Sequence, residues 1–398
     1  MFIDKYTTDK FYCSQLVWRA WLEHGKIEYK MKEDFKMKNV RIGVGFVFCF
    51  IATIALFIFN NLVIIPNVEK NENITYYIIA SNAFNKPGEF RKIDENGNLL
   101  SKKKVKIQDV TEFNFDKQNF IAGGHRFNNN IIIDENGNCK LFSLLNNPNH
   151  SGVTSINVNG NQIIAVMNGN VTDNTYKNLF VVQNKEEKIL KKEIIDIYSS
   201  DSLIKENVAY IVGGYLSVQE GHIWSSKVMK IDLNSYEIEE KIYDKNTEYI
   251  KIMILDDKLY CLGATINEMK SNIDILDPKT LERMDSFSFD KEIKAIFTID
   301  NSLYCVINNE IREIKNGILL DKEYTLPSGT YVDSYLSDNA SAYIYCRNEN
   351  IYKENGKFNM GYLVKYDKKS KAIKETPVLL EGKRYDRIIF FPTEYIKK

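Results

Sequence analysis

Histidine is nearly missing from this 398-residue chain, which holds four. The six cysteines, Cys13, Cys49, Cys139, Cys261, Cys305 and Cys346, form no CxxC pair. Without paired cysteines or clustered histidines a zinc site has no ligand set to draw on, and no metal or cofactor is expected. Cys261, Cys305 and Cys346 each sit inside an apolar run such as Lys258-Leu-Tyr-Cys-Leu-Gly263, which predicts small buried thiols; the spacing demands no disulfide. An excess of either charge is missing too. Lys plus Arg and Asp plus Glu both number 53, and no long basic block follows residue 65, so nucleic acid is not an expected partner. No complete catalytic set can be assembled from motif spacing, and an enzyme is the secondary reading. Proline is scarce at 7, whereas Tyr and Phe number 24 and 22, a balance that leans toward strands.

What is present begins with one long apolar run. Ile42–Ile65 holds no charged residue over 24 positions. As a helix at about 1.5 Å per residue it reaches about 36 Å, enough to cross a hydrocarbon core of about 30 Å. A buried core helix would alternate apolar and polar faces. A cleaved signal peptide would be shorter, nearer Met1 and followed by small residues, whereas Leu62-Val-Ile-Ile-Pro66 follows here. Lys30, Lys32, Lys36, Lys38 and Arg41 flank the run on its amino side, against Glu69, Lys70 and Glu72 on the other. Positive flanks stay in the cytoplasm. The expectation is a single-pass protein of the cell membrane: residues 1–41 cytoplasmic, 42–65 a transmembrane helix, 66–73 a linker and 74–398 an extracytoplasmic domain.

Within the first segment, Phe11-Tyr-Cys-Ser-Gln-Leu-Val-Trp-Arg-Ala-Trp-Leu-Glu-His-Gly25 reads as an amphipathic helix with a glycine C-cap. It resembles the nucleophile helix of permuted papain-like peptidases of the NlpC class, in which a YCSxLV segment opens a helix whose amino terminus lowers the thiol pKa. The resemblance implies Cys13 as nucleophile and a His upstream of it on a strand. No His precedes Cys13, and His24 lies about 16 Å along the same helix. The set is incomplete, leaving a remnant, or a helix that rests on the membrane through Trp18 and Trp21.

From Thr75 onward a short apolar strand returns seven times, as in Thr75-Tyr-Tyr-Ile-Ile-Ala80, Asn119-Phe-Ile-Ala-Gly-Gly124 and Ser341-Ala-Tyr-Ile-Tyr-Cys346. Tyr77, Phe120, Ile164, Tyr210, Tyr260, Tyr304 and Tyr343 mark the copies at intervals of 43, 44, 46, 50, 44 and 39. Strands repeating every 40–50 residues or so signal propeller blades. Hairpin turns follow the markers: Asp94-Glu-Asn-Gly-Asn98 and Asp134-Glu-Asn-Gly-Asn138 are identical, and the copies near Asn184 and Asn316-Gly317 are weaker. Another strand precedes each marker, so each blade has strands a, b, c and d. The first copy starts at strand b, while Tyr385-Asp-Arg-Ile-Ile-Phe-Phe391 at the far end reads as a strand a with no b. Pairing it into the first blade closes a ring and protects the edges.

The fold class is therefore all-β, a seven-bladed β-propeller of four-stranded blades closed by a carboxyl-terminal strand. It resembles WD-repeat and YVTN-type propellers over roughly residues 74–398, although the WD dipeptide is absent; a β-helix or sandwich is the rival. The resemblance implies a fold and no activity.

Long b–c connections are expected at Ser81–Phe90, Gly123–Asn130, Asn168–Asn178, Gly213–Lys227, Gly263–Asn272 and Cys346–Gly361. Long loops on a rigid scaffold are where binding concentrates. The richest carries Tyr215, His222 and Trp224, and the second carries His125 and Arg126. These five are the candidate binding residues, against the plainer reading that loop aromatics pack on their own blade. The expected function is binding or scaffolding of a protein or cell-envelope ligand; the alternative is a hydrolase, lyase or quinoprotein-like enzyme at the channel mouth.

Overall fold

The computed structural model describes residues 65–396 apart from 84–86, 117, 146–150, 173–174, 218–222 and 383; Cys13, the apolar run up to residue 64, and His222 lie outside the described residues. The array opens with β1 (Tyr76–Ser81), β2 (Gly88–Ile93) and β3 (Leu99–Val105). The second blade is β4 (Val110–Phe115), β5 (Asn119–Gly124), β6 (Asn130–Asp134) and β7 (Cys139–Phe142). The third is β8 (Val153–Asn159), β9 (Gln162–Thr172), β10 (Thr175–Asn184) and β11 (Ile189–Ile195), and the fourth β12 (Tyr198–Lys205), β13 (Val208–Ser217), β14 (Ile223–Asp232) and β15 (Ile238–Lys245). The fifth is β16 (Thr247–Leu255), β17 (Lys258–Thr265), β18 (Ser271–Leu276) and β19 (Arg283–Phe289). The sixth is β20 (Ile293–Ile299), β21 (Ser302–Ile307), β22 (Glu310–Lys315) and β23 (Ile318–Thr325). Last come β24 (Thr330–Ser337), β25 (Ser341–Glu354), β26 (Lys357–Asp367) and β27 (Ile373–Glu381), followed by β28 (Arg387–Pro392).

β28 pairs antiparallel with β1, from Tyr76 opposite Pro392 to Ser81 opposite Arg387, so the first sheet runs β28-β1-β2-β3. Seven four-stranded sheets result, and the chain is a seven-bladed propeller. Aromatic rings lock the closure. Phe391 stacks on Tyr77 at 5.0 Å and 13°, and its centroid lies 4.6 Å from that of Phe120 in blade 2.

All seven marker residues fall on the second strand of their blades. That strand reads as a continuous apolar run because both of its faces are covered by neighbouring blades. In β1, Tyr77 and Ile79 join a cluster with blade 2, whereas Tyr76, Ile78 and Ala80 join one with blade 7. The same alternation builds one apolar cluster at each of the other blade interfaces. Outer strands such as β3 (LLSKKKV) and β11 (ILKKEII) are exposed and lysine-bearing, which guards the sheet edges.

The turns explain the repeat at atomic level. Asp94 Oδ1 accepts the backbone N–H groups of Asn96 and Asn98, Asp134 does the same for Asn136 and Asn138, and Gly97 and Gly137 sit at φ 78° and 80°. Blades 4 and 5 use a second design, in which Asp232 or Asp277 caps two N–H groups and Tyr236 or Leu281 takes positive φ. The weaker copies are turns as well. Asn184 Oδ1 accepts the Lys188 N–H, and Asn316-Gly317 are both left-handed.

Two expectations change in detail. Much of 168–178, 213–227 and 346–361, read as loops, is strand: β9–β10, β13–β14 and β25–β26 continue as paired hairpin arms. The 66–73 stretch, read as a linker, lies on the propeller. Val68 is buried with Ile74 and Tyr77, and the Tyr77 hydroxyl accepts from the Glu69 N–H at 2.7 Å.

Candidate functional site

In four-stranded antiparallel blades, b–c and d–a connections share one face, here called the top. The first strand of each blade starts at that face, and these strands neighbour one another around the central channel. Six of the seven carry a register shift near their top end: Val110/Glu112, Val153/Ser155, Ser199/Asp201, Tyr249/Lys251, Ile293/Ala295 and Val332/Ser334. An extra residue at such a point re-aims the side chains around it, and bulges are common beside binding sites.

Three residues just after these shifts, Glu112, Asp201 and Lys251, and Asp333 within a fourth, bring charge to the inner strands. Lys251 Nζ of blade 5 lies 3.1 Å from Asp201 Oδ2 of blade 4 and 5.6 Å from the centre of the Tyr335 ring of blade 7. Asp201 Oδ2 also accepts the Ile252 N–H at 3.0 Å. Glu112 of blade 2 faces the same space. Its burial pushes the carboxyl up to about 8, the Asp201 charge adds to that rise, and Lys251 and Arg387 act against it. Asp333 of blade 7 is raised by burial, against the pull of Arg347 and Arg387; its Oδ2 lies 3.7 Å from Arg347 Nη1. Glu112, Asp201, Lys251, Asp333 and Arg387 lie on strands, outside the long connections that the sequence marks for binding. The signal available was a charge set inside an otherwise strand-like run, as at Tyr249-Ile-Lys-Ile252.

On the rim above, the predicted residues fall into two groups. His125 and Arg126 follow β5. Burial holds the His125 imidazole below its usual value, so the ring is neutral at pH 7, and its Nε2 lies 3.3 Å from Asn168 Nδ2. Tyr215 and Trp224 lie on the β13–β14 arm, with Lys227 Nζ 5.1 Å from the Tyr215 ring centre. Blade 3 bridges the two groups. The Tyr176 hydroxyl donates to Asn168 Oδ1 at 2.6 Å; Tyr176 meets Tyr198 edge-on at 4.9 Å, and Tyr198 meets Trp224 edge-on at 5.8 Å. Gly214 makes room for the indole, since a Cβ there would lie 2.5 Å from Trp224 Cε3. Beneath, Ser200 donates to Glu248 at 2.5 Å, and burial raises that carboxyl above its usual value. Tyr176 and Tyr198, which the sequence reading passed over, complete a row across blades 2, 3 and 4.

No family model and no curated protein matches the chain. Solved structures do. The periplasmic gluconolactonase of Pseudomonas aeruginosa is similar at 8% identity and a TM-score of 0.52, over 79% of this chain and 99% of that one. A quinoprotein alcohol dehydrogenase-like protein from Bacteroides thetaiotaomicron gives 12% and 0.52, over 80% and 78%. A WD40 domain from Neurospora crassa gives 9% and 0.45, over 69% and 80%. The likeness is one of fold alone. Among the described residues no group of His, Cys, Asp and Glu is arranged to hold a metal, and no helix is long and apolar enough to cross a membrane.

Proposed function

We propose that this chain is a binding propeller that takes a protein or cell-envelope ligand on its top face over blades 2 to 4. One observation carries the reading. His125, Asn168, Tyr176, Tyr198 and Trp224 form a continuous half-buried row contributed by three consecutive blades. Aromatic groups with a polar handle recur at recognition surfaces, where they supply contact area at low entropic cost. The sequence supports a location at the cell membrane, with 42–65 as anchor and the propeller outside the cytoplasm.

The test is capture from envelope extract by the detergent-solubilised full chain, beside Trp224→Ala and Tyr198→Ala. Specific capture that both variants lose supports the reading, and equal capture by all three sinks it. Protease treatment of intact cells checks location, since an outward-facing propeller is digested while a cytoplasmic one survives.

A second reading is favoured by the channel. Glu112, Asp201 and Lys251 converge from three blades, as an enzyme at the channel mouth requires. Turnover of a small substrate that Glu112→Gln abolishes and Trp224→Ala spares would select it.

A further inference from the structure

The outer edge of blade 1 concentrates positive charge as no other blade edge does. β3 reads Leu99-Leu-Ser-Lys-Lys-Lys-Val105 and Lys106 follows, so four lysines fall within five residues. Lys102, Lys103, Lys104 and Lys106 are all exposed, and none of them is ion-paired. Each of the other six outer strands holds at least one basic side chain in an ion pair, as Lys191 with Glu193 on β11. A lysine on a free edge discourages strand addition. That task asks for a charge, and a block of one sign goes beyond it.

The surrounding carboxylates are engaged elsewhere. Glu69 lies 2.9 Å from Lys92 Nζ and Glu89 bonds Arg91, while Lys103 and Lys102 act on them only from a distance. With Lys92 and Arg91 counted, six cations face two anions. Past Lys106, the buried Asp109 carboxylate faces Arg126 and Arg387, and on blade 7 Glu381 faces Lys357. In the β2–β3 turn Asp94 takes the Asn98 amide and Glu95 takes Lys374. A strand advances about 13 Å from Asn98 to Lys102, beyond the screening length of about 8 Å in physiological salt.

The segment that follows the apolar run meets the propeller at this edge. Val68 is buried where blades 1 and 2 join, and Glu69 is held by Lys92. Ile65 is 55% exposed, and the four steps from it to Glu69 span at most about 14 Å.

We propose that the outer edge of blade 1, through Lys102, Lys103, Lys104 and Lys106, docks on the anionic headgroups of a lipid bilayer. This rests on the reading of 42–65 as a membrane anchor, which is what brings a bilayer surface to the block. Ammonium groups suit a fluid array of headgroups, since each is a point charge on a flexible stem and demands no fixed geometry. Their attraction to an anionic surface grows with each lysine and weakens with salt.

The test inserts the full chain into preformed vesicles of phosphatidylcholine, alone or mixed with phosphatidylglycerol. Flotation reads membrane association, and mass spectrometry reads the rate at which a succinimidyl ester acetylates each lysine. The four lysines are expected to react about fivefold more slowly in the anionic vesicles at low salt and to lose that difference at high salt. Lys192, exposed and unpaired on blade 3, should be unchanged. In a variant carrying Lys102→Gln, Lys103→Gln and Lys104→Gln, the protection of Lys106 should disappear. Equal rates in the two lipids, or equal slowing at Lys192, overturn the docking, while flotation with both lipids keeps the anchor. No flotation with either overturns both. Slowing by soluble polyphosphate where anionic vesicles give none assigns a phosphate polymer and overturns the bilayer.

Discussion

Lys251 Nζ lies 3.1 Å from Asp201 Oδ2 and packs against the Tyr335 ring, so one side chain joins the inner strands of blades 4, 5 and 7. Fully buried pairs lose about 3–5 kcal/mol when one partner goes, and exposed pairs much less. This pair is partly exposed. Lys251→Met and Asp201→Asn are each expected to lower stability by about 1–3 kcal/mol in urea unfolding, with the double variant losing less than the sum.

Glu112 makes stability depend on pH. Its folded value of about 8 lies above the ordinary 4.5, so between those values the folded chain holds a proton that the unfolded chain has released. Stability attributable to this group therefore falls as pH rises from about 4.5 to about 8 and is flat above. Glu112→Gln is expected to raise the thermal midpoint at pH 9 and to change it little at pH 4. An equal shift at both values would remove the titration argument.

Ring closure is expected to be costly to breach. Phe391 is buried among Tyr77, Phe90 and Phe120. Phe391→Ala should cost about 3–5 kcal/mol by chemical denaturation. Limited proteolysis should then cut first near β28.

Much of the ring was legible because its signal is doubly enforced. Tyr77, Phe120 and Tyr343 recur at blade spacing since each second strand is covered on both faces, and the unpartnered Tyr385–Phe391 run had one blade left to complete. The channel was not legible. At Ser199-Ser-Asp-Ser202 and Tyr249-Ile-Lys-Ile252 a bulge breaks the two-residue period, so Asp201 and Lys251 read as interruptions of a weak strand. The arms at 168–178 and 346–361 read as loops because their outer ends carry polar residues on both faces. Tyr176 and Tyr198 sit in different blades, and only the fold brings them to Trp224.

Gly214→Ala tests the rim. The added methyl would fall 2.5 Å from Trp224 Cε3, so the indole must swing off Tyr198. Capture by the proposed top-face site should fall, with a shift in Trp224 emission measured in a Trp18→Phe, Trp21→Phe background. Unchanged emission would show that the indole keeps its place against Tyr198.

Cys261, Cys305 and Cys346 are buried and unpaired, and burial pushes the latter two up to about 12. Their alkylation by iodoacetamide should be at least about a hundredfold slower in the native chain than in denaturant. Rapid native labelling at Cys261 would contradict its placement between blades 4 and 5.

The pairing of β28 with β1 also sets an order in time. A nascent chain can finish blades 2 to 7 as each emerges, but blade 1 must wait three-stranded until the last strand has been made. Until then Tyr77, Phe90 and Phe120 lack the cover of Phe391, and the inner edge of β1 is open to any passing strand. The interval between synthesis of the first strand and arrival of the last is when this protein most needs shelter, and a chain stopped a few residues early never leaves it.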